Sequence, residues 1–312
     1  MKKDEFSRFL DPLTDFGFHR LFGTESSKNL LISFLNEVIR EEGLITDIKY
    51  LPLEQRGFTE EERKAVFDIF CTNEKGEYFI VEMQRAKQPY FRDRTVFYAS
   101  MPICKQAPKG IWNFRLKAVY LVAILDFVLF NEFKEDKDYI IEYVHLVRER
   151  TKTYFSKKLN FAFVELPKFN KTEKELKTNL DKWLYSLKNM SKLEERPATV
   201  QGKIFEELFQ AAEVKQLTKK EMRGYKKSVL EYRDVRDSIE LARTEAREEA
   251  RIEAREEGMK EGMKEGMKEG MKREKVLTIQ KCLQNNIPLE VIVNITGFSQ
   301  EQINQYTMNG IG

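Results

Sequence analysis

Apolar positions change their period along the first half of the chain, and each change marks an element. Between residues 12 and 42 they recur at helical spacing, through Leu30, Leu31, Phe34, Leu35, Val38 and Ile39, with Gly43 placed to stop the helix. Residues 45–53 and 65–83 have the composition of strands, the second stretch broken by the turn-rich hexapeptide TNEKGE. A turn centred on Lys75, with Gly76 in the left-handed conformation, sets Asp68 opposite Glu82. Side chains alternate along strands, so Asp68, Glu82 and Gln84 are expected on one side of the sheet. Phe67, Ile69, Phe79, Val81 and Met83 are expected on the other.

After Pro89 the run YFRDRTVFYAS reads as a helix with Arg94 and Tyr98 one turn apart. Further strands are predicted at residues 116–125, 139–147 and 160–166. This gives an α/β class, a mixed sheet flanked by helices over residues 1–170. Residues 171–240 read as a helical extension. Residues 241–275 form a low-complexity segment with ten Lys or Arg, ten Asp or Glu and four tandem Gly-Met-Lys units from Gly258. Two readings stand for it: a solvated spacer, or a helix pairing with a second copy through Met259, Met263, Met267 and Met271. Residues 276–312 predict a small helical domain with a helix-turn-helix outline. Pro288 sits at a first helical position, Gly297 at a helix end, and Ser299 to Gln302 form a capping box.

Composition narrows the chemistry. The 312 residues are 41% apolar, enough for a core. The longest apolar run, residues 118–125, is too short to span a bilayer, and MKKDEFSRFLDPL has no signal-peptide core, so a cytoplasmic protein without membrane partners is expected. Three dispersed cysteines give neither zinc-ligand spacing nor a disulfide framework. Only His19 and His145 are histidines, which weighs against hydrolase triads and leaves carboxylates to carry any catalysis. The net charge of +3 points to no polyanionic partner by itself. Between Val214 and Arg233, however, seven Lys or Arg face two acids, with Lys219, Arg223 and Lys226 on one helical side. That side is either a solvated face or a surface for a nucleic-acid backbone. The 276–312 domain has one basic residue, Lys281, so strong phosphate binding by it alone is not expected.

Asp68 interrupts AVFDIF and Glu82 follows Tyr78, Phe79, Ile80 and Val81. A buried carboxylate is costly unless paired, hydrogen-bonded or bound to a metal. Either Glu82 reaches solvent and Asp68 pairs with an arginine, or the two jointly hold a hard divalent cation such as magnesium. VFD at residues 66–68 and VEMQ at residues 81–84 resemble the core of the PD-(D/E)XK nuclease superfamily. DFGFHRLFG, SFLNEVI, VEMQ, FRDRTVFYAS and FAFVELPKF, in that order, resemble the recombination-promoting nucleases, also described as PD-(D/E)XK transposases, over residues 10–190.

The resemblance implies a restriction-endonuclease-like core and DNA cleavage dependent on Mg2+, with Mn2+ as a substitute, linked to recombination or mobile elements. It puts the metal on Asp68 and Glu82 and the third active-site position, usually lysine in the superfamily, on Gln84. A neutral Gln84 orients water by hydrogen bonds but adds no charge. Asp15 and His19 are further active-site candidates, although Thr14-Asp15 also reads as a helix N-cap. Arg94 and Tyr98 suit a DNA phosphate or a surface pair. The rival reading is a noncatalytic DNA-binding or protein-interaction module that keeps the fold. Homo-oligomers through the spacer or the C-terminal domain are the other partner expectation.

Overall fold

Val119–Leu125 is the apolar run committed to the middle of the sheet, and all seven residues are buried. A strand covered on both faces needs continuous apolar character rather than alternation. The computed structural model describes residues 7–39, 44–55, 65–108 and 110–308. Among them the strands are β1 (Ile48–Tyr50), β2 (Glu54–Gln55), β3 (Ala65–Val66), β4 (Ile69–Asn73), β5 (Tyr78–Gln84), β6 (Val119–Leu125), β7 (Ile141–Val147) and β8 (Tyr154–Glu165). The α-helices are α1 (Asp15–Phe22), α2 (Lys28–Val38), α3 (Phe91–Lys105), α4 (Asn179–Asn189), α5 (Lys203–Ala211), α6 (Lys219–Gln284), α7 (Leu289–Thr296) and α8 (Gln300–Met308).

Six strands form one mixed sheet in the order β1-β4-β5-β6-β8-β7. β5, β6 and β8 run parallel, while β1 and β4 on one side and β7 on the other add antiparallel pairings. One face packs on α1, α2, α4 and α5 through an aromatic cluster of Phe22, Phe34, Trp183 and Phe205. The other face meets α3 through Phe91, Ala99 and Met101. The β5–α3–β6 connection carries the chain from one end of the sheet back to the other.

The predicted β4–β5 register is observed, with Ile69 opposite Val81 and Thr72 opposite Tyr78. Gly76 takes φ +74°, and the Asn73 side chain accepts from the Lys75 and Glu77 N–H groups to hold the turn. One facial assignment is corrected. Phe67 packs with Phe70, Ile80 and Tyr98, not with Ile69, Val81 and Met83, because the chain bends at Asp68 before the β4 ladder begins. The helix expected over residues 12–42 is two helices. Gly23 ends α1, and Thr24 and Ser27 form a capping box that starts a short 3-10 turn leading into α2. The expected stop at Gly43 lies outside the described residues.

The chain divides into two compact units, residues 1–239 and 240–312. In the second, the Gly-Met-Lys segment is helical within α6. Each glycine there costs about 1 kcal/mol relative to alanine, and Glu-to-Arg pairs such as Glu269–Arg273 at 3.8 Å offset part of it. A small core of Ile279, Cys282, Ile292 and Ile303 joins the end of α6 to α7 and α8. Pro288 caps α7 rather than opening it, and Gly297 ends it at φ +73°. Ser299 and Gln302 exchange the two capping-box hydrogen bonds, at 3.0 and 3.3 Å.

Candidate active site

The hairpin register places Asp68 one residue beyond the last β4–β5 pair and beside Glu82. Its backbone N–H donates to Glu82 Oε1 at 3.2 Å, and its Oδ2 accepts from the Met83 N–H at 2.8 Å. The Asp68 side chain thus takes the place of the strand carbonyl that the bend removes. Glu82 is only 4% exposed. Burial, and then the neighbouring Asp68 charge, push the Glu82 carboxyl up to about 8. Burial is also the main cause raising Asp68, with Asp15 adding to it and Arg85 and Arg94 opposing.

The other carboxylates buried as deeply as Glu82 look different. Glu165, fully buried, has Lys168 Nζ at 2.5 Å and accepts from the Leu129 and Phe130 N–H groups. Asp181 is matched by Lys171 at 2.6 Å and by the N–H groups of Lys177 and Thr178. Among the described residues, no lysine or arginine forms an ion pair with Asp68 or Glu82.

Two arginines approach from different elements. Arg94 lies on the first turn of α3 between the rings of Phe91 and Tyr98, 5.1 and 5.7 Å from their centroids. Its Nη1 donates to Gln88 Oε1 at 2.6 Å, while its buried Nη2 has no hydrogen-bond acceptor. Tyr98 also packs edge-on against Phe67. Arg85 follows Gln84, pairs with Asp15 and lies over the Tyr232 ring at 5.6 Å. Tyr232 donates to Asp126 Oδ2 at 3.0 Å, and the Asp126 N–H donates to the Gln84 carbonyl at 2.9 Å. The start of α6 is tied to the strand ends that carry the pair.

Asp15 is the first residue of α1 rather than its cap. Thr14 is the cap, its hydroxyl accepting from the Gly17 N–H. Asp15 is exposed yet near enough to raise Asp68, so the two candidates share one neighbourhood. His19 lies one turn further along α1 and is exposed. Lys219, Arg223 and Lys226 are exposed on the first turns of α6, whose buried side carries Tyr225 and Val229.

Arg85, Asp126 and Tyr232 are the neighbours that the sequence reading passed over. Asp126 had a usable signal: an acid ending the longest apolar run, at the carboxyl end of a parallel strand, where ligand sites of α/β sheets gather. Tyr232 had none, since its partner is 106 residues away. A cavity of about 600 Å³ elsewhere on the sheet, lined by Tyr120, Tyr143, His145, Tyr154, Lys157 and Asn160 among others, shares no residue with the carboxylate pair.

Among the described residues no cluster of three or more His, Cys, Asp or Glu is arranged around a metal. Two carboxylates suffice for magnesium, which keeps several waters and completes its shell with substrate oxygens. The all-oxygen donor set of Asp68 and Glu82 fits such an ion. No curated protein and no solved structure matches the chain. Residues 12–242, spanning α1, the whole sheet and the start of α6, match the family described as PD-(D/E)XK nuclease family transposase, and the chain belongs to that family.

Proposed function

We propose that the protein is a metal-dependent DNA endonuclease in which Asp68 and Glu82 hold Mg2+, with Mn2+ able to substitute. The observation that carries this reading is the contrast among buried carboxylates. Glu165 and Asp181 each have a lysine, whereas the similarly buried Glu82 is pressed against the half-buried Asp68, with neither ion-paired to a basic side chain among the described residues. A divalent cation supplies the charge that this pair lacks. Bound there, it would stabilise charge on the phosphate and acidify a water.

Gln84, on the same strand face as Glu82, orients the attacking water. Arg94 has a buried N–H without an acceptor, which suits a DNA phosphate, with Tyr98 supporting its guanidinium. Asp15 acts from α1 through Arg85, and His19 flanks it. Lys219, Arg223 and Lys226 add nonspecific contact to the DNA backbone, which weakens steeply with salt.

The test is plasmid cleavage with and without metal. Wild-type protein is expected to nick or cut only with magnesium or manganese, and Asp68→Ala to lose cleavage while remaining folded. Full cleavage by Asp68→Ala would refute the site. Binding without cleavage by the wild type under either metal would favour the noncatalytic module, a reading supported by the neutral Gln84 and by Arg85 being engaged with Asp15.

A further inference from the structure

From Arg94 to Leu125 the chain has no acidic residue and five cations: Arg94, Lys105, Lys109, Arg115 and Lys117. The same stretch contains an exposed apolar cluster. In the loop between α3 and β6, Ile111 is fully exposed and Phe114 is 78% exposed. Trp112 is half-buried, its ring 5.0 Å from that of Phe114. Single exposed apolar residues are ordinary; two exposed and one half-buried within four positions, in a stretch whose only charges are cationic, mark an interaction site.

The loop is built to present these rings. Gln106, at the end of α3, grips both sides of its far end, accepting from the Lys117 N–H at 2.6 Å and donating to the Lys117 carbonyl at 3.2 Å. Lys117 Nζ donates to the Lys75 carbonyl at 2.7 Å, which ties the loop to the β4–β5 turn. Asn113 accepts from the Arg115 N–H at 3.1 Å. Phe114 takes φ +58°, a region bulky residues seldom enter, so the fold accepts strain while leaving the ring exposed.

Its position relates it to the carboxylate pair. Tyr78 pairs with Val119 and Glu82 with Ala123, so the loop lies at the opposite end of β5 and β6 from Glu82, about 20 Å away at strand spacing. α3 spans that distance. Arg94, Tyr98 and Lys105, at helical offsets of four and eleven, lie along one side of it.

We propose that residues 110–117 form a stacking platform for the bases of an unpaired DNA strand, whose backbone follows Arg94, Lys105, Arg115 and Lys117 back to the carboxylate pair. Neighbouring aromatic rings, here tilted 38° to each other, in a stretch of sequence that carries cations and no acid are the recognition elements of single-stranded nucleic acid. The ligand class rests on the nuclease reading above. The platform selects substrates with a single-stranded segment next to the cut, such as frayed ends, forks or flaps.

The chain carries its own probe. Of its two tryptophans, Trp183 is fully buried in the core and Trp112 is in the loop. Full-length protein is titrated in EDTA, which prevents metal-dependent cleavage, with oligothymidylate and with a duplex of equal length. Oligothymidylate is expected to quench Trp112, and Trp112→Phe to abolish the quenching while the buried Trp183 emission shows the core intact. Trp112→Ala with Phe114→Ala is expected to weaken single-strand binding about tenfold or more and to reduce the preference for single strand over duplex. Saturation without quenching, or equal losses for both DNAs, overturns the proposal. So does quenching by phospholipid vesicles or by self-association in place of DNA. Binding is read without cleavage, so the two proposals fail separately. Quenching by a chain that cuts no DNA with metal leaves the platform standing and sinks the nuclease; cutting with a silent Trp112 does the reverse.

Discussion

At the residue scale the defining feature is a buried glutamate and a half-buried aspartate forced together by a hairpin register. Both carboxyls hold their protons to higher pH in the folded chain than in the unfolded one. The folded state therefore binds more protons, and stability falls as pH rises from the ordinary carboxylate range toward about 8. Glu82→Gln removes that penalty. In EDTA at pH 8 it is expected to melt above the wild type, by about 2–4 °C for each kcal/mol relieved, with the gap closing near pH 4. Magnesium is expected to raise the wild-type melting temperature and not that of the variant, since ligand binding stabilises only the state that binds it. Equal melting curves at both pH values would mean that the pair is not strained by its own charge. The pairing was legible in the sequence because TNEKGE and Gly76 fix the turn, and the turn fixes who faces whom. The side of Phe67 was not, because a bend before a ladder leaves no trace in apolar alternation.

At the element scale, α1 holds Asp15 against Arg85, and its start depends on a close approach at Gly17. A Cβ there would lie 2.0 Å from the Asp11 carbonyl oxygen and 2.9 Å from the Thr14 hydroxyl that caps the helix. Gly17→Ala is therefore expected to cost about 3 kcal/mol or more, as overpacking against backbone does, and to lower cleavage by shifting Asp15. Urea denaturation measures the first and a plasmid assay the second; wild-type stability would show that α1 moves freely. The periodicity of Leu30 to Val38 predicted α2 well, and Arg94 and Tyr98 were legible from their spacing alone. The break between α1 and α2 was visible only as Gly-Thr-Glu-Ser-Ser, a capping signal that a continuous apolar period masked. Contacts from α6 back to Asp11, Phe16 and Asp126 join residues more than 100 positions apart. No local pattern reports them.

At the scale of the whole molecule, the family match ends at residue 242 and the first compact unit at Ile239. The contacts of Tyr225, Ser228 and Tyr232 make the first turns of α6 part of the first unit. Met259, Met263, Met267 and Met271 are 52–77% exposed along the helical Gly-Met-Lys segment, in keeping with either a spacer or a helix that meets a second copy. A chain ending at residue 242 is expected to fold, to keep metal-dependent cleavage and to sediment as a monomer. Loss of all cutting by that folded chain would make the C-terminal unit part of the active enzyme. The central claim, that Asp68 and Glu82 share a catalytic metal, is tested most directly by anomalous diffraction from crystals soaked in manganese. An anomalous peak between the two carboxylates in the wild type, absent in Asp68→Ala, is the predicted result; a manganese-soaked wild type with no peak there would contradict it.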